Sequence, residues 1–313
     1  MGRGEEGVAA SVRQRLLRVA QLRGEDFERV LVGFVAERFL YRLARSRYVE
    51  AFVLKGAMLF VAWERMPHRA TRDIDLLGLK GCTDTNLIDV FREIAGVCWD
   101  EDPVVFDVAG IAVESIRPMS DRGGTRVSLR ASVGRARVAL QVDVGFGDAV
   151  TPGPELIDFP SLLGGPSVKL RGYPVETVVA EKTLAVVERG LLNSRMKDYF
   201  DLFHLARSRA FDGRTLVAAL AATAHARGVP VGVGDVLGLG PTFSDDPVKR
   251  AQWAAFCRRM RREGSTDSLG DVVETLRRFL GPVIEAVARG RSGSGRWVPG
   301  GPWRGGPGRR PSG

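Results

Sequence analysis

The sequence predicts an α/β (α+β) fold: a mixed sheet preceded by helices and followed by a helical C-terminal half. Three observations predict it. Residues 52–78, FVLKGAMLFVAWERMPHRATRDIDLLG, read as strand, glycine turn, helix and second strand. Residues 137–145 alternate, with Val138, Leu140, Val142 and Val144 on one face, the period of a half-buried strand. The flanking stretches 9–45 and 176–289 instead carry apolar residues at helical spacing.

Taken in chain order, residues from about Ala9 to Arg45 form two helices. The second carries Phe27, Val30, Leu31, Phe34, Val35, Phe39 and Leu40, and both are expected to pack on the sheet. The α/β core runs from about Tyr48 to Asp148. After the strand that ends near Gly78, Thr85 to Val97 reads as a helix. Strands follow around Val104 to Ile116, Arg126 to Val133 and Arg137 to Gly145, with turn signals at Asp121-Arg-Gly-Gly124 and Gly134-Arg135. The proline- and glycine-rich stretch Pro152 to Pro166 reads as the crossing into the helical half. Helices are expected at Glu176–Arg189, Met196–Ser208, Leu216–Arg227, Val248–Arg262 and Asp271–Arg289, with a loop at Gly228–Asp246 and a candidate kink point at Pro282. From Gly290 the chain is almost all Gly, Arg, Pro and Ser, and it is expected to be disordered because it offers little apolar surface to offset its ordering entropy. The expected organisation is thus an α/β core with N-terminal helices over 1–150, a helical C-terminal domain over 151–289 and a disordered tail over 290–313.

Composition narrows the function classes. With 313 residues, 44% of them hydrophobic and 27% charged, the chain is long enough for a sizeable core in one large domain or two closely joined ones. Its formal net charge of +9 favours a polyanionic partner, although an arginine-rich coding background yields the same excess. Cys82, Cys98 and Cys257 form no CxxC pair, so a disulfide framework is not indicated and reduced thiols in the cytoplasm are the simplest reading. His68, His204 and His225 lack zinc-ligand spacing. No apolar run reaches the length of a membrane span, and the N-terminus has no secretory core, so no membrane partner is expected.

The chemistry concentrates on Asp73 and Asp75. One residue apart on a strand, they point to the same face, while Ile74 and Leu76 point to the core. Two neighbouring carboxylates repel, and a hard divalent cation bound between them removes that cost; oxygen-only ligands suit Mg²⁺ or Mn²⁺. Alone, an Asp-x-Asp is also found as a solvated pair at a strand end. Gly56 lies in a turn where backbone can approach a phosphate closely. Asp143 lies on the polar face of its strand, opposite Val142 and Val144.

This arrangement resembles the polymerase β-type nucleotidyltransferase superfold, in which a glycine turn and helix precede an Asp-x-Asp strand and a third carboxylate sits on a later strand. Four ordered blocks sharpen the resemblance: Lys55-Gly56-Ala57; Arg69 to Asp75, RATRDID; Asp143 to Asp148, DVGFGD; and Glu181-Lys182 followed by Arg195 to Leu202, RMKDYFDL. Together they look like the AbiEii/AbiGii toxin family, with which the MenT-type toxins belong, over roughly residues 45–205. The resemblance implies a polymerase β-like nucleotidyltransferase core and a toxin of a toxin–antitoxin system. It implies Asp73, Asp75 and Asp143 as catalytic metal ligands, and Lys182 and Asp198 as further catalytic residues. Lys55, Gly56, Ala57, Arg72, Lys182 and Lys197 are implied as the nucleotide-binding set. Asp148 and Asp201 match the blocks and are expected to shape the site. Where the family often carries Ser or Thr after the glycine, this chain has Ala57-Met58, so a hydroxyl contact to phosphate is missing.

The function implied is metal-dependent transfer of nucleotides from an NTP to RNA, foremost the tRNA 3′ end, blocking translation. The implied partners are RNA and a cognate antitoxin protein, and the implied cofactor is Mg²⁺ (or Mn²⁺). Two alternatives stay open: transfer to a protein or small molecule, and a non-catalytic nucleotide- or RNA-binding module, the latter favoured by Met58 and opposed by the three carboxylates.

Overall fold

A computed structural model describes residues 3–64, 73–79, 86–98, 102–116, 123–232, 234, 236–260 and 267–305. The chain divides into two compact units, one formed by Met1–Gly147 with Pro154–Tyr173 and the other by Asp148–Gly153 with Pro174–Gly313.

The first unit holds helices α1 (Arg3–Arg23) and α2 (Phe27–Arg45), strand β1 (Phe52–Lys55), helix α3 (Met58–Glu64), strand β2 (Asp73–Gly78), helix α4 (Leu87–Ala95) and strands β3 (Val104–Phe106), β4 (Ala112–Ile116), β5 (Gly124–Val133), β6 (Ala136–Phe146), β7 (Glu155–Phe159) and β8 (Val168–Gly172). The expected two helices and mixed sheet are present. The strands lie in the order β3-β5-β6-β2-β1-β8-β7, with β4 also pairing to β5. The β2–β6 and β1–β8 pairs are parallel and the rest antiparallel. A turn at Gly134-Arg135 joins β5 to β6 and sets a register that runs unbroken from Val133↔Ala136 to Gly124↔Gly145.

Period-two burial decides which face is which. Val127, Leu129, Val138, Leu140, Val142, Val144, Ile74 and Leu76 are all buried, and α2 packs on β6 and β8 with Val35, Phe39 and Leu40 fully enclosed. Asp26 caps α2 by accepting from the Arg29 amide. Buried Glu37 on α2 accepts from the Ser161 hydroxyl and the Leu162 amide, fastening the β7–β8 connection to the helix. Its carboxyl is raised above the usual range, because burial outweighs the charge of Arg38 and those hydrogen bonds.

Two expectations change here. The Pro152–Pro166 stretch is not simply a crossing to helices: it contains β7, and β8 follows it back into the first unit, pairing with β1 through Leu54↔Gly172. The Gly228–Asp246 loop carries the short helix α8 (Pro241–Ser244), whose Phe243 stacks on Tyr199 at 4.9 Å.

The second unit contains α5 (Val175–Arg189), α6 (Met196–Ser208), strand β9 (Phe211–Asp212), α7 (Gly213–Arg227), α8, α9 (Pro247–Met260), α10 (Leu269–Ala288) and strands β10 (Arg296–Trp297) and β11 (Trp303–Arg304). Helices α5, α6, α7 and α10 pack together around Leu184, Leu205, Leu216, Leu276 and Phe279. A reciprocal cap between Ser268 and Asp271 starts α10, which continues through Pro282.

The expected disorder from Gly290 fails over 290–305. Strands β10 and β11 join β9 in a small antiparallel sheet, and Trp297 is 1% exposed. The two tryptophans supply the apolar surface that the rest of the tail lacks: Trp297 and Trp303 pack on Phe279 at 4.9 and 6.1 Å between ring centroids. The glycines that argued for disorder let the backbone cross closely, since a Cβ on Gly293 would stand 1.9 Å from the Gly213 carbonyl oxygen.

Candidate active site

The sheet register of the first unit gathers the predicted carboxylates on its open face. β2 pairs in parallel with β6 so that Asp75 stands opposite Asp143 and Asp73 opposite Gln141. On the other side of β2, antiparallel β1 sets Lys55 opposite Asp75. β5 sets Arg126 opposite Asp143. Residues directly opposite one another share a face, so Lys55, Asp75, Asp143 and Arg126 form one row across four strands, with Asp73 two residues along.

Gly56 begins the turn after β1 with φ +71°, a conformation that favours glycine. A Cβ there would stand 1.9 Å from Oδ2 of Asp75. The absent side chain is therefore space that the Asp75 carboxylate uses. Gly56→Ala is expected to push this carboxylate aside and strain the turn, lowering the thermal midpoint by a few degrees, which thermal unfolding measures. Ala57 and Met58 are buried, so position 57 presents backbone alone toward any ligand. Lys55 is half-buried, and its ammonium lies 5.9 Å from the Tyr173 ring centroid. Arg72, Arg69 and His68 lie outside the described residues.

Arg126 is the site residue that the sequence reading missed. Its Nε and Nη2 donate to Oδ1 and Oδ2 of Asp143 at 2.8 and 2.9 Å, a two-point fork. The Asp143 hydrogen bond raises the guanidinium above its ordinary value against a partial burial cost, and the charges of Asp143, Asp73 and Glu114 add to it. The signal was present: the Gly134-Arg135 turn, carried back along both strands, opposes residue 126 to residue 143.

Among the described residues no group of three or more His, Cys, Asp or Glu is gathered tightly enough to hold a metal ion as it stands. The donor set still fits a hard divalent ion in kind. Asp75 and Asp143 are neighbours in the row, Asp73 shares their face, and Gly56 keeps the Asp75 carboxylate uncrowded. A carboxylate has about four lone-pair sites, so the Arg126 fork leaves Asp143 able to accept further hydrogen bonds or a metal ion while fixing its orientation.

In the second unit, Lys182 on α5 lies between two carboxylates of α6. Its ammonium is 2.9 Å from Asp198 and 2.8 Å from Asp201, both fully buried. Arg195 donates to the second oxygen of Asp198 at 2.5 Å. Burial pushes the Asp198 carboxyl up, but the charges and hydrogen bonds of Lys182 and Arg195 outweigh it and the net shift is downward. Asp201, expected only to shape the site, is thus a direct partner of Lys182. Lys197 is exposed on the same helix. Asp148 and Glu181 face Arg227, at 3.7 and 2.7 Å.

A family model described as nucleotidyl transferase AbiEii toxin, type IV TA system, matches residues 38–279. The chain belongs to the AbiEii nucleotidyltransferase toxin family. Membership of a toxin–antitoxin family implies an antitoxin partner. Among solved structures, JHP933 from Helicobacter pylori is similar at 14% identity, covering 81% of this chain and 90% of that one with a TM-score of 0.47. A second H. pylori structure, described as a candidate nucleotidyltransferase, is similar at 14% identity over 85% of this chain and 96% of that one, with a TM-score of 0.49. No curated protein matches the chain. Among the described residues of this AbiEii-family chain, no helix is long and apolar enough to cross a membrane.

Proposed function

We propose that this AbiEii-family protein transfers nucleotides from a nucleoside triphosphate to RNA, foremost the tRNA 3′ end, with Mg²⁺ (or Mn²⁺) held by Asp73, Asp75 and Asp143, and that the added nucleotides block translation. The observation that supports this reading is the charged row: Lys55, Asp75, Asp143 and Arg126 side by side, with the glycine turn making room beside Asp75.

A hydroxyl attacks the α-phosphorus, a P–O bond forms, and the bond to pyrophosphate breaks. When bound, the divalent ions neutralise charge on the attacking and leaving oxygens. Lys55, beside the Gly56 turn, offsets the negative charge of the triphosphate. Asp143, its carboxylate oriented by the Arg126 fork, accepts the hydrogen bond of the attacking hydroxyl and receives its proton. The basic balance of the chain, +9, suits a polyanionic acceptor.

The test supplies purified protein with each α-labelled triphosphate and Mg²⁺, in separate reactions with total RNA and with RNA-free protein extract. Label at RNA 3′ ends is expected. Label confined to protein would assign the enzyme a protein acceptor instead.

A further inference from the structure

Resting on the transfer reading just given, we infer that the open face of β5 and β6 is the acceptor track. On it, a single-stranded RNA 3′ end lies with its terminal nucleotide in the hollow beside Asp73 and its preceding phosphates on Arg137 and Arg130. Three observations carry this. First, the row is asymmetric. Lys55 and the Gly56 turn stand on the β1 side of Asp75, and β6 and β5 stand on the other. In phosphoryl chemistry the attacking and leaving oxygens are roughly in line. A triphosphate lodged at the glycine turn therefore leaves the β6 side for the attacking hydroxyl.

Second, among the described residues β2 pairs with β6 from Gln141 onward, whereas β6 begins at Ala136. At that step, at the edge of the sheet, lies a hollow of about 260 Å³ bordered by Asp73, Gln141 and Arg137 on the open face and by Val138 of β6 with Glu28 and Leu31 of α2 on the packed side. It opens from a proposed metal ligand and continues along β6. Glu28 is the carboxylate that opposes a phosphate there, which places the phosphates toward Arg137 rather than toward the helix.

Third, the face has the texture of a track for a sugar–phosphate chain. By the β5–β6 register, Ser128 stands opposite Gln141, Arg130 opposite Ala139 and Ser132 opposite Arg137. Arg130, Arg137 and Ala139 are exposed, and Ser128, Ser132 and Gln141 are half-exposed. Two residues of strand advance about 6.6 Å, so the two arginines lead away from Asp73 in short steps. The small residues keep the surface low, and the serine hydroxyls and the Gln141 amide are the donors and acceptors that a ribose 2′-hydroxyl needs. No aromatic side chain stands among these six residues to stack bases. The track thus reads backbone and 2′-hydroxyl and has little base preference. Glu114, opposite Arg126, marks the acidic limit of the arginine stretch.

The test compares wild type with the Arg130→Glu/Arg137→Glu variant. Binding of a fluorescent single-stranded RNA is measured by anisotropy at several salt concentrations, beside binding of a labelled triphosphate and the thermal midpoint. The expected result is an RNA affinity at least about tenfold weaker and a log–log salt slope smaller by about 1.4, because two arginine–phosphate pairings are removed and each contributes about 0.7 on a single strand. Triphosphate binding and the midpoint should be unchanged, since both side chains are exposed. Wild-type RNA affinity in the variant, or competition by duplex DNA as strong as by single-stranded RNA, would overturn the track. If the variant labels RNA at the wild-type rate, the track is wrong while the transfer reading stands. If wild type binds no RNA, the RNA reading falls and the track with it.

Discussion

Removing the chain after Arg289 is expected to destabilise the second unit by more than about 4 kcal/mol. The deleted segment carries Trp297, 1% exposed, whose indole N–H donates to the Ala206 carbonyl at 2.7 Å. It also carries Trp303, whose indole N–H donates to the Phe279 carbonyl at 3.0 Å. Backbone hydrogen bonds go too: the Gly213 amide loses its bond to the Gly295 carbonyl, and the Ala206 carbonyl loses the Gly300 amide. Deleting one buried tryptophan side chain alone costs about 3–5 kcal/mol. That is a large share of the roughly 5–15 kcal/mol typical of a whole protein. The milder Trp297→Ala is expected to lower the midpoint of the second unit by roughly 10 °C. Thermal unfolding followed by circular dichroism reads both. A truncated protein with the wild-type midpoint would show that the small β9–β10–β11 sheet contributes nothing.

Lys182→Ala is expected to cost the second unit about 3–5 kcal/mol and to lower transfer by about a hundredfold. The ammonium sits between Asp198 and Asp201, each fully buried, and removing one member of a buried ion group leaves charge without compensation. The two effects separate in Lys182→Arg, which keeps the charge but presents a planar fork, so stability should recover more than turnover. The pH dependence follows from Asp198. Its carboxyl is lowered in the fold, so its stabilising contribution is complete above the unfolded value near ~3.9 and is lost as pH falls through the folded value. In Lys182→Ala one of the two charges holding it down is gone. The variant should therefore lose less additional stability below about pH 4 than wild type does. Denaturant midpoints across that range measure the difference.

Much of the first unit was legible because a strand has period two. That period put Asp73 and Asp75 on one face and Ile74 and Leu76 on the other, and it did the same for Asp143 against Val142 and Val144. Gly56 was legible as a turn, but its closeness to Asp75 was not, since β1–β2 pairing brings the two together across the helix that separates them in sequence. Arg126 was overlooked because its role is a cross-strand one: nothing near it in sequence marks it, and only the register from the Gly134-Arg135 turn finds it. Strand β7 was hidden by the prolines and glycines around it, although Ile157 and Phe159 keep the alternation. The tail was misread because composition averages over residues. Two tryptophans in a glycine-rich stretch offer enough apolar surface to fold when Phe211 and Phe279 wait for them. Lys182 and Asp198 were found only through a resemblance of motifs. Spacing alone did not show that Asp201, three residues on, would close on the same ammonium from the next turn of the helix.

The measurement that bears most directly on nucleotidyl transfer at the carboxylate row is incorporation of an α-labelled triphosphate into RNA by wild type, Asp75→Asn and Asp143→Asn under Mg²⁺. The amides match the carboxylates in shape but carry no charge for a hard cation or an attacking hydroxyl. Both variants should fold with near-native midpoints, and Asp75→Asn should also ease repulsion with Asp73. Incorporation should fall by at least about 10²–10³ in each. An Asp75→Asn protein that labels RNA at the wild-type rate would contradict catalysis at this row.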